Sequence, residues 1–344
     1  ASLLEFVFET DIDLESLASS NEITVDHETR NLILYGAPGT GKSYQINTYV
    51  NNINATSYRT VFFSEYQNSD FIGSIKPSIS ENEVSYAFKE GILLKSLKDS
   101  LDNPSKKVVL IIEEINRGDA AAIFGDFFQL IDRNGEGESE YEIIVNDDVG
   151  RYLFDNADQQ FKVKFPPNFY LVATMNSSDQ GVFQLDTAFK RRWDFEYLSI
   201  DFTKHMDLEE FSDKKIEIKI ENEEKYSWSH FAETINSLLS KDKIPEDRLL
   251  GPFFLSKPEL KSEKLNRVIA NKVLIYLWDD VLRNEDKNII FSDNYNSFSK
   301  LQSDFTSGIN VFSDNFTEIL KQNTNVAEED ESLVGNDTAT DTAN

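Results

Sequence analysis

The sequence predicts an α/β fold: a central parallel sheet with a β-hairpin insertion, followed by a smaller helical domain. Three observations predict it. Short apolar runs alternate with amphipathic helical stretches through the first half of the chain, the pattern of strands joined by crossover helices. A polar, glycine-bearing stretch with strand-like flanks interrupts that alternation at 134–168, and beyond about residue 203 the pattern turns helical.

Residues 1–30 are acidic and weakly patterned, and read as an N-terminal arm. Asn31 to Tyr35 is a short apolar strand that opens directly into Gly36–Ser43, with a helix following over roughly Lys42 to Asn51. Thr60 to Phe63 is the next strand. Gly91 to Leu101 is an amphipathic helix, and after a turn at Pro104 comes the buried-strand run Val108 to Ile112. Asn134 to Ser139 holds two glycines, and Glu142 to Val145 and Phe161 to Phe165 flank a polar middle, so this region is expected to be the hairpin. Phe169 to Thr174 is again a continuous apolar strand. Trp228 to Leu239 and Leu265 to Leu282 are the clearest helices of the second domain. From about 322 the chain is rich in Asp, Glu, Thr and Asn with almost no large apolar residue, the composition of a disordered tail. The expected domains are therefore a 31–203 α/β nucleotide-binding domain and a 204–321 helical lid, between the 1–30 arm and the 322–344 tail.

Composition narrows the function. Hydrophobic residues make up 40% and charged residues 28%, enough for a core. With no cysteine, disulfides and thiolate metal sites are excluded. The first ten residues lack a signal-peptide pattern and the apolar runs are too short to span a bilayer, so a cytoplasmic protein with no membrane association is expected. The net charge is −27, with 61 acidic against 34 basic residues and no extended basic stretch beyond Lys190-Arg191-Arg192. Strong direct binding of DNA by this chain is not expected, because phosphate neutralisation dominates such affinity; any DNA contact should come indirectly or through a partner. His27, His205 and His230 are scattered, which supports no zinc site, and the 26 Phe and 13 Tyr lack interleaved basic residues and read as core.

Gly36-Ala37-Pro38-Gly39-Thr40-Gly41-Lys42-Ser43 fits the phosphate-loop pattern G-x-x-x-x-G-K-[ST], between a strand and a helix as that pattern requires. Glycines let the main chain curl so that successive N–H groups face phosphate oxygens, and the helix N-terminus adds its dipole. Lys42 can reach the β- and γ-phosphates, and the Ser43 hydroxyl can bind Mg²⁺. Val108 to Ile112 runs into Glu113-Glu114. Behind a phosphate loop, an apolar strand ending in two carboxylates supplies what hydrolysis needs: Glu113 for the metal shell and Glu114 for the attacking water.

Glu113-Glu114-Ile115-Asn116-Arg117, continuing through Ile123-Phe124-Gly125 to Gln129-Leu130-Ile131-Asp132, resembles the Walker B stretch of McrB-type AAA+ proteins. Leu171 to Asp179 resembles that family's strand ending in Met-Asn-Thr-Ala-Asp, and Leu185 to Trp193 its Asp-x-Ala-x-x-Arg-Arg-Phe segment. The resemblance covers about residues 31–200 and extends more loosely through Leu249-Leu250-Gly251-Pro252-Phe253-Phe254. It implies that Asn176 is the sensor-1 residue that orients the attacking water. It also implies that Arg191 or Arg192 reaches the γ-phosphate held by a neighbouring subunit, with Arg117 a further inter-subunit candidate. The chain departs from the pattern in three places: Glu113 stands where the family usually has Asp, Ser177-Ser178 replaces Thr-Ala, and Gln180-Gly181 replaces Arg-Ser. The type member of the family is known for preferring GTP; Asp179 is retained and could accept hydrogen bonds from a guanine edge, so the resemblance implies GTP ahead of ATP. Glu65 to Gly73 resembles the family's segment after the second strand, either as a loop facing a ring axis or with Tyr66 and Phe71 packed beneath it.

The resemblance implies a ring-forming GTPase or ATPase, with a hexamer the expected ring, that powers or gates a restriction endonuclease complex. No nuclease constellation stands out in this chain, so a separate nuclease or activator subunit is expected. The N-terminal arm is too short for a modified-base reader, and the family analogy points to a stand-alone component of a BsuMI-like multi-gene system. A MoxR-like AAA+ chaperone that remodels protein complexes is the rival within the enzymes. A non-hydrolysing nucleotide-dependent assembly module is the rival from another class; the intact Lys42, Ser43, Glu114 and Asn176 speak against it.

Overall fold

Strands Val108–Glu113 and Phe169–Met175 are buried along almost their whole length, as strands covered on both faces must be. In the computed structural model, which describes residues 29–80, 83–154, 160–176, 182–203, 218–219 and 225–322, they lie at the centre of a five-stranded sheet. The N-terminal arm up to residue 28 and the tail from 323 lie outside the described residues.

In chain order the α/β domain contains β1 (Asn31–Tyr35), α1 (Lys42–Asn52), β2 (Thr56–Val61), α2 (Asn68–Phe71), β3 (Gly73–Ser80), β4 (Glu83–Glu90), α3 (Ile92–Asp102) and β5 (Val108–Glu113). There follow α4 (Ala120–Phe124), β6 (Ile143–Ile144), α5 (Asp147–Leu153), β7 (Lys162–Val163), β8 (Phe169–Met175), α6 (Thr187–Lys190) and β9 (Asp194–Tyr197). The sheet order is β2-β5-β8-β1-β9 and every pairing is parallel. After β1 the chain crosses one way to reach β2; after β8 it crosses the other way to reach β9. The carboxyl ends of β1 and β8 therefore flank a topological switch point, where open α/β sheets bind ligands.

Alternation along the strands divides the core. Leu32, Leu34, Val109, Ile111, Tyr170 and Val172 face Ile46, Tyr49 and Val50 of α1. Ile33, Leu110, Ile112, Leu171 and Ala173 face the opposite layer, which includes Leu93, Leu94 and Leu97 of α3 and Phe71 and Phe124. One residue of slip would exchange these two sets, so the register is strongly specified.

Two features differ from the sequence-based expectation. The hairpin expected at 134–168 is reduced to the two-residue pairing of β6 with β7, which brackets helix α5. A much longer hairpin stands elsewhere: β3 pairs antiparallel with β4 from Gly73↔Glu90 to Ser80↔Glu83. Its cross-strand partners Ile75↔Phe88 and Ile79↔Val84 carry the period-2 signal. The interposed Pro77, a residue confined to edge strands and bulges, masks it. Tyr66 and Phe71 pack beneath their segment: the Tyr66 hydroxyl lies 3.1 Å from Thr60 Oγ1 and its ring stacks on Phe62, while Phe71 is fully buried. Of the two readings of this segment, the packed one holds.

The helical C-terminal region has a core cluster of its own. After the short antiparallel pair β10 (Ile218–Lys219) and β11 (Lys225–Tyr226), α7 (Trp228–Lys241) starts at Ser227, whose hydroxyl accepts from the His230 N–H. Then come α8 (Lys257–Leu260), α9 (Leu265–Ile269), α10 (Phe298–Thr306) and a final helix over 314–322. The helix expected over Leu265 to Leu282 is a single helical run, but it widens into π turns at Ala270–Leu274 and Leu277–Val281. Among the described residues no helix is long and apolar enough to cross a membrane.

Candidate nucleotide-binding and hydrolysis site

The loop from Gly36 to Gly41 leaves the carboxyl end of β1 and delivers the chain to α1. Only glycine suits its turns. Gly36, Gly39 and Gly41 have φ of 147°, 80° and 88°, and a Cβ on Gly39 would fall 2.4 Å from the Phe254 nitrogen. Because α1 begins at Lys42, the N–H groups of its first turn have no intrahelical acceptor, which leaves donors and the positive end of the helix at the loop. The Thr40 hydroxyl donates to the Ala37 carbonyl (2.9 Å) and braces the curl. Lys42 Nζ donates to the carbonyls of Gly36 (2.9 Å) and Ala37 (3.0 Å), so the ammonium lies along the rim of the loop. Ser43 is exposed.

Beside it, β5 and β8 bring together residues sixty positions apart. The Thr174 hydroxyl donates to Glu113 Oε2 (2.5 Å) and accepts from the Glu114 N–H (3.0 Å), so one side chain fixes both carboxylate-bearing residues. Glu114 adopts φ 54°, a left-handed conformation costing a non-glycine residue about 1–2 kcal/mol; it turns the chain off the sheet edge. Asn176 Nδ2 donates to Glu114 Oε1 (2.7 Å). Since only the amide NH₂ can donate to a carboxylate, this bond sets the orientation of the amide. Asn176 Oδ1 is then a buried acceptor without a hydrogen-bond partner among the described residues, as is Asn116 Oδ1, whose amide donates to the Asn176 carbonyl (2.7 Å). Buried acceptors of this kind are costly unless water or ligand completes them.

These residues fit a nucleotide with its cation. The glycine loop offers main-chain donors for phosphate. Asn176 and Glu114 offer an acceptor and a base within one hydrogen bond of each other. Among the described residues no group of three or more His, Cys, Asp or Glu could hold a metal by itself. One hydroxyl (Ser43) and one carboxylate (Glu113) suit Mg²⁺, which keeps several waters and takes phosphate oxygens as ligands. Asp179 lies outside the described residues, as does the whole of 177–181.

The three arginines separate. Arg117 Nε lies 3.5 Å from Glu114 Oε2 of its own chain. Arg192 is built into the domain: it pairs with Asp132 (2.8 and 2.9 Å), donates to the Ala188 carbonyl (2.6 Å) and lies 4.2 Å over the Phe128 ring, with its side chain only 8% exposed. Arg191 is exposed, and its side chain makes no hydrogen bond or ion pair among the described residues. Both follow α6 and precede β9, so they stand at the amino-terminal foot of the sheet, where Asn31 Nδ2 donates to the Arg192 carbonyl (3.0 Å). Next to it Arg133 is bound by the carbonyls of Gly137, Phe165 and Phe169; burial, with Arg30 nearby, pushes it down to about 9, so it stays charged at neutral pH. The phosphate loop is at the other end of β1, about 13 Å away at the usual strand rise.

Sequence reasoning missed the grip of the helical domain on the phosphate loop. The Gly251 N–H donates to the Pro38 carbonyl (2.9 Å) and the Phe253 N–H to the Gly39 carbonyl (2.8 Å). A Cβ on Gly251 would fall 2.4 Å from the Gly39 carbonyl carbon, so the approach demands glycine. The segment is itself clamped to α7: Asn236 Nδ2 donates to the Leu250 carbonyl (2.8 Å), the Leu250 N–H donates to Asn236 Oδ1 (2.9 Å), and Trp228 Nε1 donates to the Pro252 carbonyl (2.8 Å). The Leu249–Phe254 resemblance was the only signal that could have pointed here. Asn236→Ala strips a buried peptide of both partners and should destabilise the protein by about 2–3 kcal/mol, read as a lowered urea midpoint. A change within about 0.5 kcal/mol, the ordinary range of surface substitutions, would contradict the clamp.

The model of the AAA domain family, dynein-related subfamily, matches residues 31–193. The type II restriction enzyme BsuMI component YdiS of Bacillus subtilis (strain 168) is 39% identical over 311 residues, spanning 82% of this chain and 88% of that protein. The EcoKMcrB subunit of a type IV methyl-directed restriction enzyme of Escherichia coli (strain K12) is 28% identical over 218 residues, 62% of this chain and 44% of that one.

Proposed function

The chain belongs to the McrB-like AAA+ family of nucleoside-triphosphate hydrolases, and from that premise we propose that it hydrolyses GTP in preference to ATP as a subunit of a ring. The ring would drive or gate a restriction endonuclease whose nuclease is a separate chain. One observation supports the ring above the others: Arg191 is an exposed cation whose side chain has no hydrogen bond or ion pair among the described residues, at the foot of the sheet and a strand's length from its own phosphate loop. It can complete a site only on a neighbouring copy, and a head-to-tail contact of that kind closes into a ring when the rotation allows.

In this reading the loop amides and Lys42 hold the phosphates. Glu114, steered by Asn176, polarises the attacking water, while Arg191 of the adjoining subunit stabilises charge developing on the γ-phosphate. Ser43 and Glu113 would hold Mg²⁺, which when bound would neutralise phosphate charge. Arg192 acts through its neighbour, its bond to Asp132 fixing the turn that presents Arg191. Recognition of DNA is assigned to a partner because of the net charge of −27. The relatives YdiS and EcoKMcrB are named as restriction-enzyme components, which favours a nuclease partner over a chaperone client.

The test is complementation in trans. Arg191→Ala retains the phosphate loop but lacks the arginine, and Lys42→Ala has the reverse defect. Alone, Arg191→Ala should lose about 10³-fold or more in turnover, the scale of arginine-finger loss. Mixing the two should restore part of the hydrolysis, assayed with GTP and ATP side by side while light scattering follows assembly. Co-assembly without any recovery would refute an arginine acting between subunits.

A further inference from the structure

Glu113 ends β5 where the McrB-like pattern usually has Asp. Its extra methylene carries the carboxylate further from the strand by one C–C bond, about 1.5 Å, enough to misplace a group beside a metal ion. The structure shows what takes up that length. Val61 of β2 is the register partner of Glu113, and Arg59, two residues earlier, points to the same face of the sheet. Arg59 Nη1 is bonded to Glu113 Oε1, while the Thr174 hydroxyl donates to Glu113 Oε2 (2.5 Å). The other arm of the guanidinium, Nη2, donates to Asn47 Oδ1 (2.5 Å).

Asn47 lies four residues after Ser43 on α1, hence on the same helix face one turn along. Arg59 therefore ties the helix that carries Ser43 to the strand end that carries Glu113. Its rigid planar fork suits such a bridge, because each arm meets its acceptor at a fixed angle. The Glu113 side chain is only 14% exposed and Arg59 37%, so this is not a wholly solvent-screened surface pair of the kind worth little.

We propose that Arg59 is a positioning residue for the cation–nucleotide site: it draws back the longer carboxylate of Glu113 and fixes its separation from Ser43. Glu113 and Arg59 are then a matched pair, and an aspartate in place of Glu113 makes the arginine dispensable. The inference rests on reading the site as one for a nucleotide with Mg²⁺.

The test is a double-mutant cycle on the full chain, with a slowly hydrolysed fluorescent GTP analogue as probe and Mg²⁺ titrated. Arg59→Met keeps the side-chain stem and removes the fork. It should raise the Mg²⁺ needed for half-maximal binding by roughly tenfold, which corresponds to about 1.4 kcal/mol, and still reach the parent plateau at saturating Mg²⁺. Adding Glu113→Asp to Arg59→Met should bring the requirement back to within about threefold of the parent, a coupling that independent sites do not show. A parental or lowered Mg²⁺ requirement in Arg59→Met would overturn the proposal. So would a double variant no better than Arg59→Met. A parent chain that bound the analogue at no Mg²⁺ concentration would remove the reading of the site itself, a result separate from either of these.

Discussion

Lys42→Ala is expected to weaken nucleotide binding by two to three decades in Kd while leaving the chain folded. The ammonium sits at the rim of the loop, where it donates to the Gly36 and Ala37 carbonyls at 2.9 and 3.0 Å. Gly36 and Ala37 are buried, so losing the donor costs about 1–3 kcal/mol of stability, less than a folded domain holds in reserve, and alanine is a strong helix former. On a phosphate, however, the same ammonium forms a charge-assisted bond. Truncating one partner of such a pair costs about 3–4 kcal/mol, the middle of the range for hydrogen-bonded charges at an interface. Calorimetric titration with GTP and with ATP checks it. Equal affinity of variant and parent would show that the loop does not hold the triphosphate.

Glu114→Gln is expected to separate binding from chemistry. Glutamine keeps the shape, and its carbonyl can still accept from Asn176 Nδ2, the bond that now runs to Glu114 Oε1 at 2.7 Å. The left-handed turn at this residue depends on the backbone and its bond to Thr174, which the substitution does not touch. What disappears is the negative charge, and with it the ability to take a proton from water and the ion pair with Arg117. Removal of a positioned base should lower turnover by about 10²–10⁴, with nucleotide Kd within a few-fold of the parent. Single-turnover hydrolysis measured beside equilibrium binding distinguishes the cases. Unchanged hydrolysis would move the base elsewhere; lost binding would make Glu114 a structural residue.

The strands, the phosphate loop and the acidic pair were legible in the chain for a common reason: each is written in consecutive residues. Two apolar runs buried on both faces can only be central strands, and glycines at 36, 39 and 41 before Lys42 can only make the curled turn that positive φ requires. The β3–β4 hairpin was equally local but was hidden, because its alternation is broken by Pro77 and its face carries exposed Ile75 and Tyr86 rather than a core. The arginine pair shows the opposite limit. Nothing in Arg191-Arg192 says which side chain is engaged; the burial of Arg192 against Asp132, sixty residues earlier, decides it.

By itself, then, the sequence determined the α/β class, the glycine-bearing loop after β1 and the carboxylates at the end of β5, since these depend on short-range periodicity and backbone permissiveness. Only the tertiary structure decided which distant groups meet: Asn176 with Glu114 across 62 residues, Arg59 with Glu113 across 54, and the Gly251 segment with the loop at Pro38 and Gly39. Those meetings follow from the order of parallel strands and the docking of one domain on the other. Neither is set by spacing along the chain, because the crossovers between neighbouring strands can take any length that closes over the sheet.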